Sequence, residues 1–564
     1  MCRFFKADKA PEELLKGLTE RQRRLVIAAV NYHSLIQPGR KLKYKIYVGE
    51  KWQYPRLTDI STIDGGCTEQ VGLEPVLDIE FTSTVRNQSP FSPHYLSAGR
   101  LLVDRNVRYI LVTPDEATDE DVETHRPQAR MKTRAYKKME TTVPVAFDYV
   151  REALRTERDW HGRKPIPLFE PATVANHDLT HDTVGEPTHE IAPGPYIADA
   201  RKAVIISMHW LQAGGAERWG METIRLAEAA GLLPIVLTDR DGQQPWITED
   251  VCDHALVIPL TMPLQQRLGD EPLLRALFEQ FDIRAVLIHH CQWMYDRAWW
   301  VKKYAPAVSV VDSLHIVEHV MQGGYPREAI AHDQWIDLHH VISPQLEQWM
   351  VHTHGIAAGK VVDAPLIGLT ADSQTLRFKE RGSSARFVVA FIGRMARQKR
   401  PEAFILTARY LEKKRPGAFH FIMHGSGDMD GFVDRLISRY HLEQVIERRS
   451  GATPVAQTYD EADALVVSSI NEGITLTTIE AISAGVPVLS ANVGSQSTLV
   501  SPVGLLPRLT ASFVRAAAKS LVHMTDQESD RRRLWQDEAK RLMEFSKLES
   551  ADDLFRKLFE QWSK

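Results

Sequence analysis

The sequence predicts an α/β protein: two doubly wound parallel sheets in tandem, preceded by an extra α/β or α+β module. Three observations carry this expectation. From residue 203 onward, apolar runs of strand length alternate with segments of helical periodicity. The alternation restarts near Arg386, after a first series that ends at Ile342. Each series also places glycine just beyond its opening strand, at Gly214-Gly215 and at Gly393.

A chain of 564 residues is too long for a single core. The expected division is an accessory module over 1–198, a first domain over 199–370, a second over 371–545 and a terminal helix over 546–564. In the first module the spacing of Leu14, Leu18, Leu25, Ala29, Tyr32 and Ile36 predicts a helix over 11–36, stopped by Pro38-Gly39. Strands are expected at 43–48, 76–81 and 108–112. An acidic run over 115–123 precedes a basic one (Arg130, Lys132, Arg134, Lys137, Lys138), and both read first as solvated faces. A membrane or protein contact through the basic run is the alternative. Prolines and histidines over 164–195 read as a linker. Within it His177, Asp178, His181 and Asp182 have metal-ligand types, but a flexible polar stretch does not fix them in a site.

In the first domain, strands are expected at 203–207, 234–237, 255–258, 285–289, 308–311 and 340–342. One helix should carry Met221, Ile224 and Ala227 on a single face, and another should span 271–281. In the second, strands are expected at 387–392, 419–424, 464–467 and 486–490, with helices over 401–413 and 431–440. Two such domains leave a cleft between them as the natural ligand site.

The stretch 471–488 concentrates the chemistry. A buried strand leads to Glu472-Gly473, and a helix then opens with unpaired backbone N–H groups and the positive end of its dipole, a site for phosphate. Glu472 stands before the turn and Glu480 inside the helix, so hydroxyl-binding carboxylates bracket the phosphate position. A nucleotide sugar fits that pattern. The competing reading is a capping box between Thr477 and Glu480. Arg394 and Lys399 flank the first strand-to-helix loop of this domain, placed to neutralise a diphosphate. Gly214 and Gly215 would let backbone approach the same ligand from the other domain. His315, just past a strand facing the cleft, could bond a sugar hydroxyl, with His319 as the competing choice. His289, His290 and Cys291 have metal-ligand types, yet neighbours on a strand point to opposite faces.

These stretches resemble the retaining glycosyltransferases of family four, whose fold is the B-type pair of Rossmann-like domains. The matching residues are Gly393-Arg394 with Lys399, Gly425-Ser426-Gly427, the stretch 462–469, Glu472-Gly473 through Glu480, and Ala484-Gly485-Val486-Pro487-Val488. In the first domain they are Gly214-Gly215-Ala216-Glu217 and Val341-Ile342-Ser343. The resemblance implies that Glu472 contacts the donor sugar, while Gly473, Ile474, Thr475 and Leu476 meet sugar and phosphate. Glu480 would hold the ribose, Arg394 and Lys399 the leaving diphosphate, with Gly215 touching it from the first domain. Gly425 joins the donor set and His315 the catalytic set. Ile474-Thr475 stands where the family usually has Phe-Gly, and His315-Ile316 where it has His-Asp. The terminal helix is expected to cross back to the first domain.

The implied reaction moves a sugar from a nucleoside-diphosphate sugar to a glycan, lipid or protein hydroxyl, with no cofactor and no metal. Rivals are a sugar phosphorylase or nucleotide-sugar epimerase on the same fold, or a non-catalytic scaffold of a glycosylation complex. A net charge of −4 argues against nucleic acid as a partner. Four scattered cysteines, no signal-like apolar run and no membrane span lead to the expectation of a cytoplasmic protein, peripheral at most at the inner membrane face.

Overall fold

The computed structural model describes residues 2–9, 11–36, 38–49, 74–86, 107–112, 114, 139, 143–171, 192–211, 214–240, 253–260, 270–319, 323–369, 376–381 and 386–564. The expected acidic and basic runs, and His177 to Asp182, lie outside these residues.

The N-terminal sheet has four strands, β1 (Phe5–Lys6), β2 (Lys41–Val48), β3 (Leu77–Ser83) and β4 (Val107–Val112), in the order β1-β3-β2-β4. β2 pairs antiparallel with β3 and parallel with β4. The expected long helix is split into Pro11–Leu14 and Glu20–Ile36. Gly17 takes φ +107°, and a new start is capped reciprocally: Gln22 N–H donates to Thr19 Oγ1 and Thr19 N–H to Gln22 Oε1. The longer piece buries Leu25, Val26, Ile27, Ala28, Ala29 and Val30, nearly its whole circumference. Such burial requires a partner on both sides. One is this sheet; the other is a strand and helix of the next domain, reached as well by the edge-on contact of Phe4 with Phe281.

The first Rossmann-like sheet contains β5 (Lys202–Met208), β6 (Leu233–Thr238), β7 (Leu256–Pro259), β8 (Asp282–His289), β9 (Ser309–Leu314), β10 (Leu338–Val341) and β11 (Val361–Asp363). All pair in parallel, in the order β11-β10-β9-β8-β5-β6-β7. The second contains β12 (Phe387–Ile392), β13 (Phe419–His424), β14 (Ile446–Arg449), β15 (Ala464–Val467), β16 (Val488–Ala491) and β17 (Leu505–Leu506), ordered β14-β13-β12-β15-β16-β17. Strand order reverses between β5 and β8 and between β12 and β15. Those are the switch points where doubly wound sheets open a crevice at their carboxyl ends. The fold class expected from the sequence is the one observed.

The helix Ala551–Ser563 lies on the first domain, although it ends the chain. Phe555, fully buried, meets Trp219 edge-on at 5.3 Å and His340 at 5.1 Å between ring centroids. Lys202 Nζ donates to the carbonyl of Ser563 at 2.7 Å, and Ser550 caps the start by accepting from Asp553 N–H. None of the described helices is long and apolar enough to cross a membrane. Truncating Phe555 to alanine opens a cavity beneath Trp219 and is expected to cost about 3–5 kcal/mol. A fall in the urea midpoint of the full chain measures it; an unchanged midpoint would mean the terminal helix adds nothing to the first domain's stability.

Candidate active site

Two loops of the second domain meet at its switch point. After β12 the chain turns at Gly393, whose φ of +154° disfavours a side chain. It then runs through a short turn, Arg397–Lys399, to Arg400, which takes the left-handed conformation at φ +51°. That strained residue is held by its own guanidinium, which donates to the Ser468 carbonyl at 2.6 Å and to the Arg508 carbonyl. Ser468 Oγ donates back toward the carbonyls of Lys399 and Arg400 at 2.9 and 3.0 Å. Gln398 exchanges bonds with the second loop: its carbonyl accepts from Ile470 N–H at 2.8 Å and its amide donates to Asn471 O at 3.0 Å. Lys399 Nζ then meets Glu472 Oε1 at 2.6 Å, the carboxylate only 7% exposed. The Arg394 side chain is exposed and has no hydrogen-bond partner among the described residues. Gly425 packs under this loop, since a Cβ there would lie 2.2 Å from the Gly393 carbonyl oxygen.

The helix Leu476–Ser483 starts at Thr475, whose side chain does not cap it but bonds Thr478 Oγ1 at 2.6 Å. The N–H groups of Gly473, Ile474, Thr475, Leu476 and Thr477 have no acceptor among the described residues. They form the unpaired helix start at which an anion is stabilised. Opposite lies a second helix start, Gly215–Ala229, with Gly214 extended at its N-cap. A Cβ on Gly215 would sit 3.7 Å from Leu476 Cδ1, so the two helix ends face each other across the cleft. Leu476 packs on the first domain's core and Ile479 in the second domain's.

Glu480 accepts from Tyr459 Oη at 2.9 Å and pairs with Arg218 at 3.4 Å across the cleft. The Thr477–Glu480 capping box is not formed. Arg218, Tyr459, Gly494 and Gln496 were not legible as site residues. Gln496 Nε2 donates to the Gly473 carbonyl at 2.9 Å, and a Cβ on Gly494 would fall 1.5 Å from the Glu472 oxygen. Gly494 follows β16 at a carboxyl end, which was the available signal; Tyr459 lies in the helix Val455–Glu461 and carried none.

The first domain's wall is aromatic and histidine-rich. His315 is buried, with Nε2 3.2 Å from Ser313 Oγ. Burial lowers its pKa well below the usual range, and the neighbouring histidines add to that. Ser313 Oγ also receives Trp219 Nε1–H at 3.1 Å and contacts His340 Nδ1 at 2.9 Å, while His340 Nε2 faces the Ala364 carbonyl at 2.7 Å. These partners assign the tautomers. His340 donates from Nε2, the serine proton goes to His340 Nδ1, and His315 therefore donates from Nε2. His315 Nδ1 is left as an acceptor without a partner among the described residues. Gly473 lies against this same residue, where a Cβ would approach the His315 carbonyl oxygen to 2.2 Å.

Nearby, burial pushes the Glu217 carboxyl up, but hydrogen bonds from His209 and Trp210 outweigh it and hold it at about 2. His319, the competing choice to His315, has its Nε2 3.3 Å from Arg155 Nη2. His289 bonds Thr223 at 3.1 Å, His290 stacks on Tyr325 at 4.9 Å, and Cys291 is buried beside Asp239. They do not converge, and the described residues hold no cluster of three or more potential metal ligands.

Residues 372–511 match the family model described as glycosyl transferases group 1, so the resemblance read from the sequence stands for the second domain. Two curated relatives are D-inositol 3-phosphate glycosyltransferases. The one from Paenarthrobacter aurescens is 30% identical over 151 residues, 25% of this chain and 37% of the relative. The one from Nocardia farcinica is 34% identical over 131 residues, 22% of this chain and 29% of the relative. The chain thus spans about a third of the length of these relatives. Among solved structures, Anabaena Alr3699/HepE in complex with UDP and glucose aligns over 64% of this chain and 97% of its own, at 16% identity and a TM-score of 0.48. Sucrose-phosphate synthase from Thermosynechococcus elongatus aligns over 64% and 98%, at 17% identity and a TM-score of 0.47.

The buried histidines give the first domain a two-sided pH profile. Burial lowers His340 to about 4, so its contribution is complete above pH ~6.5, the unfolded value, and is lost as pH falls toward 4. Burial also opposes charge on His339, but Asp312 and Asp333 outweigh it and raise the ring to about 9. That contribution is complete below pH ~6.5 and is lost as pH rises through 9. Thermal midpoints against pH should therefore fall on both sides. His339→Gln should weaken the alkaline limb and His340→Gln make the acid one shallower, with His289, His290 and His315 keeping the rest of it; unchanged limbs would refute the assignments.

Proposed function

We propose that the protein is a retaining glycosyltransferase that moves a sugar from a nucleoside-diphosphate sugar to an acceptor hydroxyl. The observation that carries this reading is the single surface made by Lys399, Glu472 and the five unpaired N–H groups of residues 473–477, facing Gly215 across the cleft. The diphosphate lies against the helix start, with Lys399 and the partner-free Arg394 beside it. Breaking the bond from the anomeric carbon to the diphosphate builds negative charge there, and fixed cations with oriented N–H groups stabilise it without reorganising. Glu472 faces the sugar, and Glu480, already oriented by Tyr459, takes the ribose hydroxyls. His315 Nδ1 offers an acceptor to a hydroxyl from the first domain's side.

The acceptor oxygen bonds to the anomeric carbon on the face the diphosphate leaves, and a diphosphate oxygen takes the acceptor proton. Neither Glu472 nor Glu480 acts as a covalent nucleophile, because they bind different ends of the donor. No metal or cofactor is needed in this scheme. The same reading makes this a cytoplasmic enzyme of glycan or glycoconjugate synthesis.

A thermal-shift panel of uridine, guanosine and adenosine diphosphates and their sugars identifies the donor, and the matching sugar nucleotide then serves in transfer assays. Glu472→Ala should abolish transfer while the fold persists. Lys399→Ala should lower kcat by about 10²–10³, the usual effect of losing one preorganised group. Near-normal turnover by Glu472→Ala, or products showing phosphorolysis or epimerisation, would overturn the reading.

A further inference from the structure

The last described helix of the N-terminal module, Pro144–Gly162, was not announced by the sequence and lies outside the matched family region. It does not stay with its own sheet. Its first turns enter the second domain, where Asp148, 2% exposed, faces Arg397 at 3.5 Å and Arg400 at 3.8 Å and pairs with Arg151 of its own helix. Glu152 pairs with Arg508. One turn on, Arg155 donates from Nη1 to the Ile470 carbonyl at 3.1 Å, and its Nη2 lies 3.3 Å from His319 of the first domain. The segment then runs to the first domain, where Phe169 stacks on His332 at 4.4 Å and its N–H donates to Ala331 O at 2.7 Å. The strap touches both domains and both donor loops.

Those contacts fall on the residues that flank the cleft chemistry. Arg397 and Arg400 bracket Lys399, and Ile470 precedes Glu472 by two positions. Arg400 is fully buried and left-handed, so its charge needs a nearby anion and its backbone a fixed partner. Asp148 supplies a buried carboxylate from the N-terminal module. Asn471 Nδ2, which donates to Val317 O at 2.8 Å, ties the same loop to the first domain. An ion pair between Lys399 and Glu472 has the right length only while both loops hold their positions.

We propose that Asp148 and Arg155 are positioning residues of the donor site, so that nucleotide-sugar binding in the second domain depends on the helix Pro144–Gly162. This rests on the glycosyltransferase reading. Neither residue touches the reacting atoms. Asp148 sets the loop that carries Lys399, and Arg155 sets the loop that carries Glu472. Their loss should therefore act on the donor and leave the acceptor's KM alone.

The test uses the full chain, with the nucleoside diphosphate that shifts the wild type most as probe. Asp148→Asn and Arg155→Ala should each raise the donor KM and the diphosphate Kd by about 10-fold or more, and a combined variant should lose on the order of 100-fold in kcat/KM. Asp148→Glu should recover most of the loss, because it restores the charge. Arg155 is the less buried of the two, so its variant stays informative if Asp148→Asn folds poorly. Donor KM and Kd unchanged in folded Arg155→Ala, or a lowered melting midpoint with normal donor KM, would overturn the proposal and leave the helix a purely structural strap. Failure of the wild type to bind any of the diphosphates would overturn the glycosyltransferase reading itself.

Discussion

The architecture depends on backbone meeting backbone at Gly473. A Cβ there would come within 2.2 Å of the His315 carbonyl oxygen, and one at Gly494 within 1.5 Å of the Glu472 oxygen. Non-bonded heavy atoms prefer ~3.5–4.0 Å, so neither position admits a side chain without displacing chain on both sides. Gly494 lets the loop after β16 pack on the Glu472 backbone within the second domain, whereas at Gly473 the two domains meet backbone to backbone, with Ile342 Cδ1 beside the contact. The unpaired N–H groups of residues 473–477 and the helix start at Gly215 are brought opposite each other by that contact. Ser343 Oγ and Ser495 Oγ, 2.8 Å apart, and the bond from Thr498 to Gln345 close the same seam further along.

Much of this was legible because the signals were local. β12 is an uninterrupted apolar run, β5 and β13 are dominated by apolar residues, and Gly393 and Gly425 directly follow β12 and β13, as suits buried parallel strands. The edge strands β11, β14 and β17 were not legible, although the edge strand β7 was expected at 255–258. β14 reads Ile-Glu-Arg-Arg, and its arginines pair with Asp430, Asp434, Glu447 and Glu461 rather than pack. β11 and β17, three and two residues long, are too short for a period to show. At the site, Glu472, Lys399 and the glycines stand in one recognisable spacing. Arg218 and Tyr459 were hidden because their link to Glu480 exists only once separate segments have folded together.

In the first 198 residues the strands expected at 43–48, 76–81 and 108–112 are present, but the helices resisted reading for a related reason. Glu20–Ile36 is buried around most of its circumference, so its apolar residues do not fall on one stripe, and its start is set by Thr19 and Gln22 rather than by a visible break. Pro144–Gly162 shows the opposite problem. Its polar residues look like those of a solvated helix, yet Asp148 and Arg151 are buried against the second domain's arginines and each other. A charged side chain reads as exposed until the countercharge is located, and here Arg397 lies 249 positions downstream of Asp148, with Arg400 just beyond.

The two walls of the cleft differ in electrostatic character, and that difference follows from burial. On the first domain's side, His290 is lowered to about 3 and His315 well below its usual range, so both rings stay neutral at physiological pH. They can exchange single hydrogen bonds with hydroxyls but add no net charge. On the second domain's side, Arg394 and the helix start present positive charge, and Lys399 pairs with Glu472. A ligand that is anionic at one end and a polyol at the other is oriented by such a pair of walls before any specific contact is considered. Reversing it would bring a diphosphate to uncharged rings and leave the helix end uncompensated. The diphosphate end is thereby set between the helix starts at Gly215 and Leu476, and the uncharged rings of His290 and His315 leave the polyol end to single hydrogen bonds.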